Sequence, residues 1–505
     1  MKKKGIFAFD LGTSGVKCSI YDIDGTLLGA SYGTYDTYYP HPDWREQAPA
    51  DWICEIKKAS NELRSILKSV ELIGIGVSGH SLGALPVDES GNLLCDRIPI
   101  WSDARARIQA EEFFKKTDYK TWYEKTGNGF PPELYSLFKI MWYKNNDPKL
   151  YSKTYKFIGS KDYVNAYLTG TIATDYSYAS GSGIYNLKDA AYMQEYADIA
   201  QVDINKFPDI FPSYEIIGKV NKKAAEELSI PEGIPVVAGG VDNACMALGA
   251  GCFKPGDTYA SLGSSAWITL CSDQPTVDYD SKIYTFAHCI PGHFIPSVCI
   301  FSSGSSLNWA CDNWFFDLPR EKRFDAMGEF AKKSVAGANG LIFNPCLSGG
   351  SAADKSPNIR GGLLNLSLEH NREDIARAVF EGIAMHLYVA SLPLESSNIL
   401  SDELQLVGGG SKGTFSRQNY ADVFGKNVSV SPVQQDAASL GAAALVAVGC
   451  GAWDSFDGLK EVHKKKEVVK YSAENHKVYE QRIKLYQKMC DACSDLGDSM
   501  KKTTV

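Results

Sequence analysis

Two carboxylates stand where their surroundings suit chemistry. Asp10 lies in "FAFDLGTSGVK", where Gly12, Thr13, Ser14 and Gly15 make a turn rich in glycine and hydroxyls. The backbone N–H groups of such a turn can approach phosphate closely. A bare carboxylate beside phosphate repels it, so a cation belongs between them, and Mg²⁺ held through its water shell fits that place. Asp242 lies in "VVAGGVDNACMALGAG", which reads as a strand, a Gly-Gly turn and a helix of small apolar residues. An Asp at a helix start is an ordinary N-cap. Lifted on a glycine turn, it can also take the proton of an alcohol, as phosphoryl transfer to a hydroxyl requires. The sequence therefore predicts Asp242 as cap and base together.

The elements that must position these groups come next. "KGIFAFDLG" is an apolar strand, and Asp24-Gly25 closes a hairpin in the segment after it. "ADWICEIKKASNELRSILKSV" has apolar residues at helical spacing and leads into the buried strand "LIGIGVSGH". Strand, hairpin, helix and strand in that order predict an α/β domain with a mixed sheet. The plan then recurs in "DTYASLGSSAWITLCSD", where Gly263, Ser264 and Ser265 make a second hydroxyl-rich turn. Two equivalent hairpins imply a duplicated fold with a cleft between its lobes. The two turns would grip the phosphates of a nucleotide between them. There is no Walker P-loop and no convincing dinucleotide fingerprint. "LQLVGGGSKG" sets Gly408 to Gly410 between a strand and a helix, where a flat base can approach the backbone, although a tight turn needs the same residues.

Composition bounds the rest. A chain of 505 residues, 44% hydrophobic and 22% charged, has the make-up of a globular protein with two or more domains. A net charge of -8 gives no general attraction to nucleic acid or anionic membrane. "AASLGAAALVAVGCGAW" reads as a buried core helix rather than a membrane span. Thirteen cysteines without a framework indicate free thiols in a reducing cytoplasm. Cys490 and Cys493 have CxxC spacing, but no second pair or histidine lies near them in sequence, so they read as thiols on a C-terminal amphipathic helix.

These motifs together resemble the FGGY carbohydrate kinases, which have two ribonuclease-H-like, actin-like ATPase lobes with mixed five-stranded sheets flanked by helices. The resemblance covers residues 5–485. It implies an N-terminal sugar-binding lobe over 1–244 and a C-terminal ATP-binding lobe over 245–505. "DLGTSGVK" and "SLGSSAW" look like the family's phosphate loops, which puts Thr13, Ser14, Lys17, Gly263, Ser264 and Ser265 on ATP. "GGGSKGTFSRQNYADVFG" looks like the adenosine segment, with Gly409, Gly410 and Ser411. "GGVDN" looks like the segment carrying the general base, Asp242, with Mg²⁺ held by Asp10 and Asp242. "HPDWREQAPADW" resembles the early loop of the xylulokinase type. "SLFKIMWYKNND" carries one family signature at Ser136, Lys139 and Trp142, and "GGLLNLSLEHNREDIARAVFEGIA" the other, with Asn365 where glycine is usual.

On the substrate side the resemblance implies His80, Ser81, Trp101, Asp103, Arg105 and Asn243. Here the chain departs from xylulokinases: "GHSLG" has Leu82 in place of a histidine, and "NPCLSGGSAADKSP" lacks the Glu-Arg of "PYLSGERTP". A pentulose, another ketose, a sugar alcohol and a sugar acid all remain open as substrate. The resemblance also implies ATP and Mg²⁺ as cofactors and a homodimer. Two rivals stand beside the kinase: an ATPase of the chaperone or actin type, and a sensor that binds sugar or nucleotide without transfer.

Overall fold

The computed structural model describes residues 2–351, 353–397, 401–431, 433 and 436–503. The first sheet is built from β1 (Lys3–Leu11), β2 (Gly15–Asp22), β3 (Leu27–Thr34), β4 (Val70–Gly79), β5 (Ile216–Lys219), β6 (Pro235–Val237) and β7 (Gly240–Val241). Its order is β5-β6-β4-β1-β2-β3, with β7 also pairing β4. The second sheet contains β8 (Thr258–Leu262), β9 (Ala266–Leu270), β10 (Tyr284–Ala287), β11 (Phe294–Ile300), β12 (Glu403–Val407), β13 (Asn427–Val430) and β14 (Glu467–Val469), in the order β10-β11-β9-β8-β12-β13-β14.

Each sheet thus has seven strands where the sequence predicts five. The added strands are at the edges: β5 lies antiparallel to β6, β10 to β11 and β14 to β13. In the first sheet, moreover, β6 and β7 are two pieces of one path along β4. Gly239 interrupts that path at φ +72°, and a Cβ there would lie 2.1 Å from the Val77 carbonyl oxygen. Only glycine fits so close to a neighbouring strand.

The helices that matter for the site are α1 (Pro49–Glu62), α2 (Ser136–Asn146), α3 (Ser160–Thr169), α4 (Asp242–Gly249), α5 (Gly304–Trp314), α6 (Arg372–Ser397), α7 (Thr414–Phe424), α8 (Ala437–Gly449) and α9 (Ala473–Thr503). Successive residues of β1 serve two cores. Phe7, Phe9 and Leu11 pack with Trp52, Ile53 and Ile56 of α1, whereas Ile6 and Ala8 join the cluster that contains α8. A strand covered on both faces reads as a continuous apolar run, as "GIFAF" does.

Gly74 and Gly76 of β4 make room for α8. A Cβ on Gly76 would lie 2.4 Å from the Ala442 carbonyl oxygen. Helix α8 is apolar on every side and buried on every side, as its sequence predicts. It comes late in the chain yet packs on the first lobe's sheet and on α4. The segment 372–396 within α6 is long and apolar enough to cross a membrane, but 78% of its most apolar window is buried inside the protein.

Candidate active site

Asp10 comes at the end of β1, where the parallel register sets it against Ser78 of β4. Ser78 Oγ donates to Asp10 Oδ1 at 2.9 Å. Burial pushes the Asp10 carboxyl above its usual range; Ser78 and Lys17 offset part of that. Lys17 faces Asp10 across the β1–β2 hairpin and forms an ion pair with Asp436, next to the start of α8. Its ammonium is therefore engaged within the protein.

The first turn is compact. The Gly12 N–H donates to the Gly15 carbonyl at 3.0 Å, and a Cβ on Gly15 would lie 2.3 Å from the Gly33 carbonyl. Gln47 Nε2 donates to the Thr13 carbonyl at 2.7 Å, and the Tyr35 hydroxyl donates to the Gly12 carbonyl. Thr13 Oγ1 accepts from the indole N–H of Trp101 at 2.9 Å. Ser14 is exposed at the tip.

The second turn is one residue shorter: Leu262 pairs with Ala266, whereas Leu11 pairs with Val16. Gly263 donates to the Ser265 carbonyl at 2.9 Å. The Ser264 carbonyl accepts from the N–H groups of Ser303 and Ser305, both at 3.0 Å, which ties the turn to the start of α5. Gly263 and Ser264 are exposed. The third turn abuts this one, since a Cβ on Gly410 would lie 2.8 Å from Leu262 Cβ. Gly409 has open space on its Cβ side. Ser411 is spent on its own turn, buried, donating to the Gly408 carbonyl at 2.7 Å.

Asp242 is the first residue of α4, and Val241 holds the N-cap position. The predicted side-chain cap is not made. The carboxylate instead accepts from the N–H of Asn243 at 2.8 Å, which leaves its remaining lone pairs toward the cleft. Burial, with the nearby charge of Asp10 second, pushes its carboxyl up to about 7.

The Gly-Gly turn beneath Asp242 is anchored by a buried ionic network that the sequence does not announce. Lys161 on α3 pairs with Asp162 at 2.5 Å and Asp175 at 2.9 Å. It also donates to the Ala238 carbonyl at 3.1 Å. Asp175 accepts from the Ser177 hydroxyl, and that same oxygen accepts from the Val241 N–H at 2.9 Å. Burial alone would push the Lys161 ammonium down, but the two carboxylates overcome it and raise it.

A cleft of about 330 Å³ lies between the lobes. Thr13, Ser81, Trp101, Asp242 and Asn243 line it from the first lobe, and Ser265 and Trp267 from the second. Asn243 Oδ1 is buried with no hydrogen-bond partner among the described residues, so it has an acceptor to offer. His80 is 1% exposed, edge-on to Trp52 with ring centroids 5.3 Å apart, and both its ring nitrogens lack a partner among the described residues. Burial, then the charge of Lys139, pushes it down to about 4, so at neutral pH it is an uncharged imidazole with one donor and one acceptor.

Asp103 and Arg105 are not brought to the cleft. Asp103 is fully buried and accepts from the N–H groups of Arg45 and Arg105 and from the Arg105 guanidinium. Arg105 also bonds Glu46 at 2.7 Å and lies 3.8 Å over the Trp44 ring. Its donors are committed to shaping the loop that presents Trp101.

The signature residues of α2 do similar work. Ser136 Oγ donates to the Gly83 carbonyl at 2.7 Å. Lys139, fully buried, donates to the carbonyls of Leu82, Ile100 and Leu134 at 2.9, 2.8 and 2.7 Å. Burial pushes this lysine down to about 7, but three acceptors require three N–H groups, which only the ammonium has. Leu82 sits at φ +60°, a conformation that costs a leucine about 1 kcal/mol or more. The "SLG" turn is held there by Lys139 from below.

Ser78 and Tyr35 carry no motif that marks them in the sequence, and Gln47 and Trp267 lie inside quoted segments without a role assigned to them there. Ser78 is set against Asp10 by strand register, and Gln47 by a short antiparallel pairing with Ile98, neither of which spacing along the chain discloses.

Residues 6–249 match the FGGY family of carbohydrate kinases, N-terminal domain, and residues 258–450 match the C-terminal domain of the same family. A xylulose kinase of Staphylococcus epidermidis is 31% identical over 492 residues, 96% of each chain. A gluconokinase of Bacillus licheniformis is 26% identical over 503 residues, covering 98% of this chain and 96% of its own. The crystal structure of a gluconate kinase from Lactobacillus acidophilus superimposes with a TM-score of 0.89 at 24% identity, over 97% of this chain and 98% of that one. That likeness establishes the two-lobed fold.

Proposed function

This chain belongs to the FGGY family of carbohydrate kinases, and from that premise we propose that it transfers the γ-phosphoryl group of ATP to a hydroxyl of an uncharged ketose, a xylulose-like pentulose, with Asp242 as general base. One observation carries the choice of an uncharged sugar: among the described residues that line the cleft, none is Lys or Arg. A sugar acid brings a carboxylate, and burying it without a cationic partner costs several kcal/mol. Gluconokinase relatives support the sugar-acid alternative, and the lining speaks against it. Aromatic faces at Trp101 and Trp267 suit the C–H surface of a sugar ring or chain. Asn243 and Ser81 offer polar atoms to its hydroxyls, with His80 behind them.

The steps follow from the side chains. The two hydroxyl-rich turns at Gly12–Gly15 and Gly263–Ser265 hold the phosphates by backbone N–H groups, and the open side of Gly409 takes the base. Asp242 orients the accepting hydroxyl and takes its proton late, because positioning dominates when the transition state is loose. Closure of the cleft excludes water, which would otherwise accept the phosphoryl group. Asp10 and Asp242 suit Mg²⁺: the Asp10 charge adds to burial in raising the proton affinity of Asp242, and a divalent cation relieves that repulsion. When bound, the ion neutralises phosphate charge. A cytoplasmic homodimer, to be tested by light scattering on purified protein and by cell fractionation, completes the proposal.

The test is ADP release from MgATP over a panel of ketopentoses, ketohexoses, pentitols, glycerol and aldonic acids, with Asp242→Asn alongside. One ketose should stimulate release, and the variant should lose 10²-fold or more while still binding ATP, since general-base catalysis contributes about 10²–10⁴-fold. Stimulation by an aldonic acid alone would remove the ketose assignment. Full activity in the variant would remove Asp242.

A further inference from the structure

The stretch that departs from the family pattern, "NPCLSGGSAADKSP", and the CxxC pair at the C-terminus meet in space. Cys346, Asp354 and His386 bring one ligand-type atom each within 4.8 Å of one another. His386 Nε2 lies 3.4 Å from Cys346 Sγ and 3.6 Å from Asp354 Oδ2, and Cys346 Sγ lies 4.0 Å from Asp354 Oδ1. Bonds of about 2.3 Å to sulfur and about 2.0 Å to nitrogen or oxygen, at tetrahedral angles, put ligand atoms about 3.3–3.5 Å apart. The two His386 edges match that figure closely, and the 4.0 Å edge runs to the other Asp354 oxygen, so the carboxylate turns for one oxygen to serve both neighbours.

Cys490 is a nearby fourth donor, outside the group of three whose ligand atoms lie within 4.8 Å of one another. Cys490 on α9 borders a cavity of about 470 Å³ together with Asp354 and His386, and its thiol interacts electrostatically with Asp354 and Cys493. The carboxylate is oriented from outside: Ser351 donates its N–H at 2.8 Å and its hydroxyl at 3.2 Å to Asp354 Oδ2. Ligating carboxylates in metal sites are held in this way. The three segments already adhere. Ser356 Oγ and Asn358 Nδ2 donate to Asp498 of α9 at 2.5 and 2.7 Å, and Lys355 pairs with Asp495 at 2.7 Å.

We propose that Cys346, Asp354, His386 and Cys490 form a tetrahedral site for a borderline-soft divalent cation of the Zn²⁺ class, which fastens the 346–354 loop and α9 onto α6. Thiolate, imidazole and carboxylate donors in one shell select such an ion over Mg²⁺ or Ca²⁺, which take oxygen ligands. Binding releases the thiol protons to solvent. With Cys490 drawn in on binding, all four positions are filled by side chains, which makes the site structural.

The full-length protein is stripped by dialysis against a chelator with a reductant present, then titrated with Zn²⁺ alone and with Co²⁺ alone. Expected are one tightly held equivalent of Zn²⁺ after gel filtration, a rise in melting temperature, and for Co²⁺ the visible bands of a tetrahedral ion with near-ultraviolet thiolate charge transfer. His386→Ala should lose the equivalent and the bands. Asp354→Asn, a milder change, is measured alongside in case the alanine variant does not fold. Cys490→Ser should lower the charge-transfer intensity by about half. No retained equivalent, or the same cobalt spectrum in the parent and in Asp354→Asn, overturns the site; unchanged intensity in Cys490→Ser overturns the four-ligand shell.

Discussion

Trp101 donates its indole N–H to the Thr13 hydroxyl at 2.9 Å, so one hydrogen bond joins the Trp101 loop to the first glycine-rich turn. Both residues line the cleft, and the contact sets where the aromatic face stands relative to the turn proposed to hold phosphate. Trp101→Phe keeps a ring and removes the donor. A neutral hydrogen bond is worth about 0.5–1.5 kcal/mol, which corresponds to a loss of roughly two- to tenfold in kcat/KM. Because Thr13 belongs to the phosphate turn, the loss should appear in the constants for ATP as well as for sugar. Steady-state kinetics with each substrate varied in turn reads this, and an effect confined to sugar would separate the two subsites.

Asp242 carries a stability cost that pH exposes. In the protein without nucleotide or divalent cation, burial and the Asp10 charge push its carboxyl up to about 7, against about 3.9 in an unfolded chain. Between those values the folded state binds more protons than the unfolded state, so this group's contribution to stability falls as pH rises from about 4 to about 7. Asparagine has no such charge. Asp242→Asn should therefore melt higher than the parent at pH 8, and the gap should close below about pH 4. Melting curves across that range, in chelator, decide it; a gap independent of pH would mean that the carboxyl titrates normally.

Much of this architecture is legible in the amino-acid sequence. The hairpin at Asp24-Gly25, the helix that follows, the duplicated glycine- and hydroxyl-rich turns and the buried α8 all announce themselves through local rules of turn chemistry and periodicity. What the sequence does not disclose depends on register and on edges. Ser78 becomes the partner of Asp10 only when β1 and β4 align in parallel. The strands beyond five come from short edge pieces too weak to read alone and, in the first sheet, from the break of one path into β6 and β7. Asp103 and Arg105 carry a motif resembling a substrate loop, but polarity in sequence does not say whether a side chain faces the ligand or braces the loop, and these two brace it. The cap expected of Asp242 fails for a related reason: its carboxylate turns back to the Asn243 N–H.

Lys139 has no contact with the cleft, yet it should govern sugar binding. Its three N–H groups hold the carbonyls of Leu82, Ile100 and Leu134, and with them the turns that present Ser81 and Trp101. Lys139→Met fits the volume but takes the ammonium donor from the Leu82 and Leu134 carbonyls, leaves Ile100 only the Asp103 N–H, and frees Leu82 from its left-handed conformation. An unsatisfied buried acceptor costs about 1–3 kcal/mol, so a total loss of about 3 kcal/mol or more in unfolding free energy is expected. The KM for sugar should rise tenfold or more while the KM for ATP changes little. Denaturant titration and kinetics on the same preparation check both, and equal effects on the two KM values would point to general loosening instead.

The junction of α4 and α8 pits helix propensity against packing. Gly441 lies inside α8, where alanine ordinarily gains about 1 kcal/mol over glycine. Here a Cβ would stand 1.9 Å from the Cys245 carbonyl oxygen, a backbone atom that cannot rotate aside. Overpacking of this kind costs about 1–3 kcal/mol or more, so the clash wins and Gly441→Ala should destabilise the protein. Gly328 is the matched control. It lies inside the helix Arg323–Lys333, and a Cβ there would meet only Phe415 Cβ at 3.6 Å, an ordinary contact. Gly328→Ala should therefore raise the melting temperature while Gly441→Ala lowers it. The second variant should also lose activity beyond its loss of stability. Cys245 lies three residues after Asp242 on α4, and a misplacement of about 1 Å at a catalytic group can cost about 10²-fold. If Gly441→Ala keeps full kcat at a temperature where it remains folded, the crossing of α4 and α8 fastens the lobes without setting the position of Asp242.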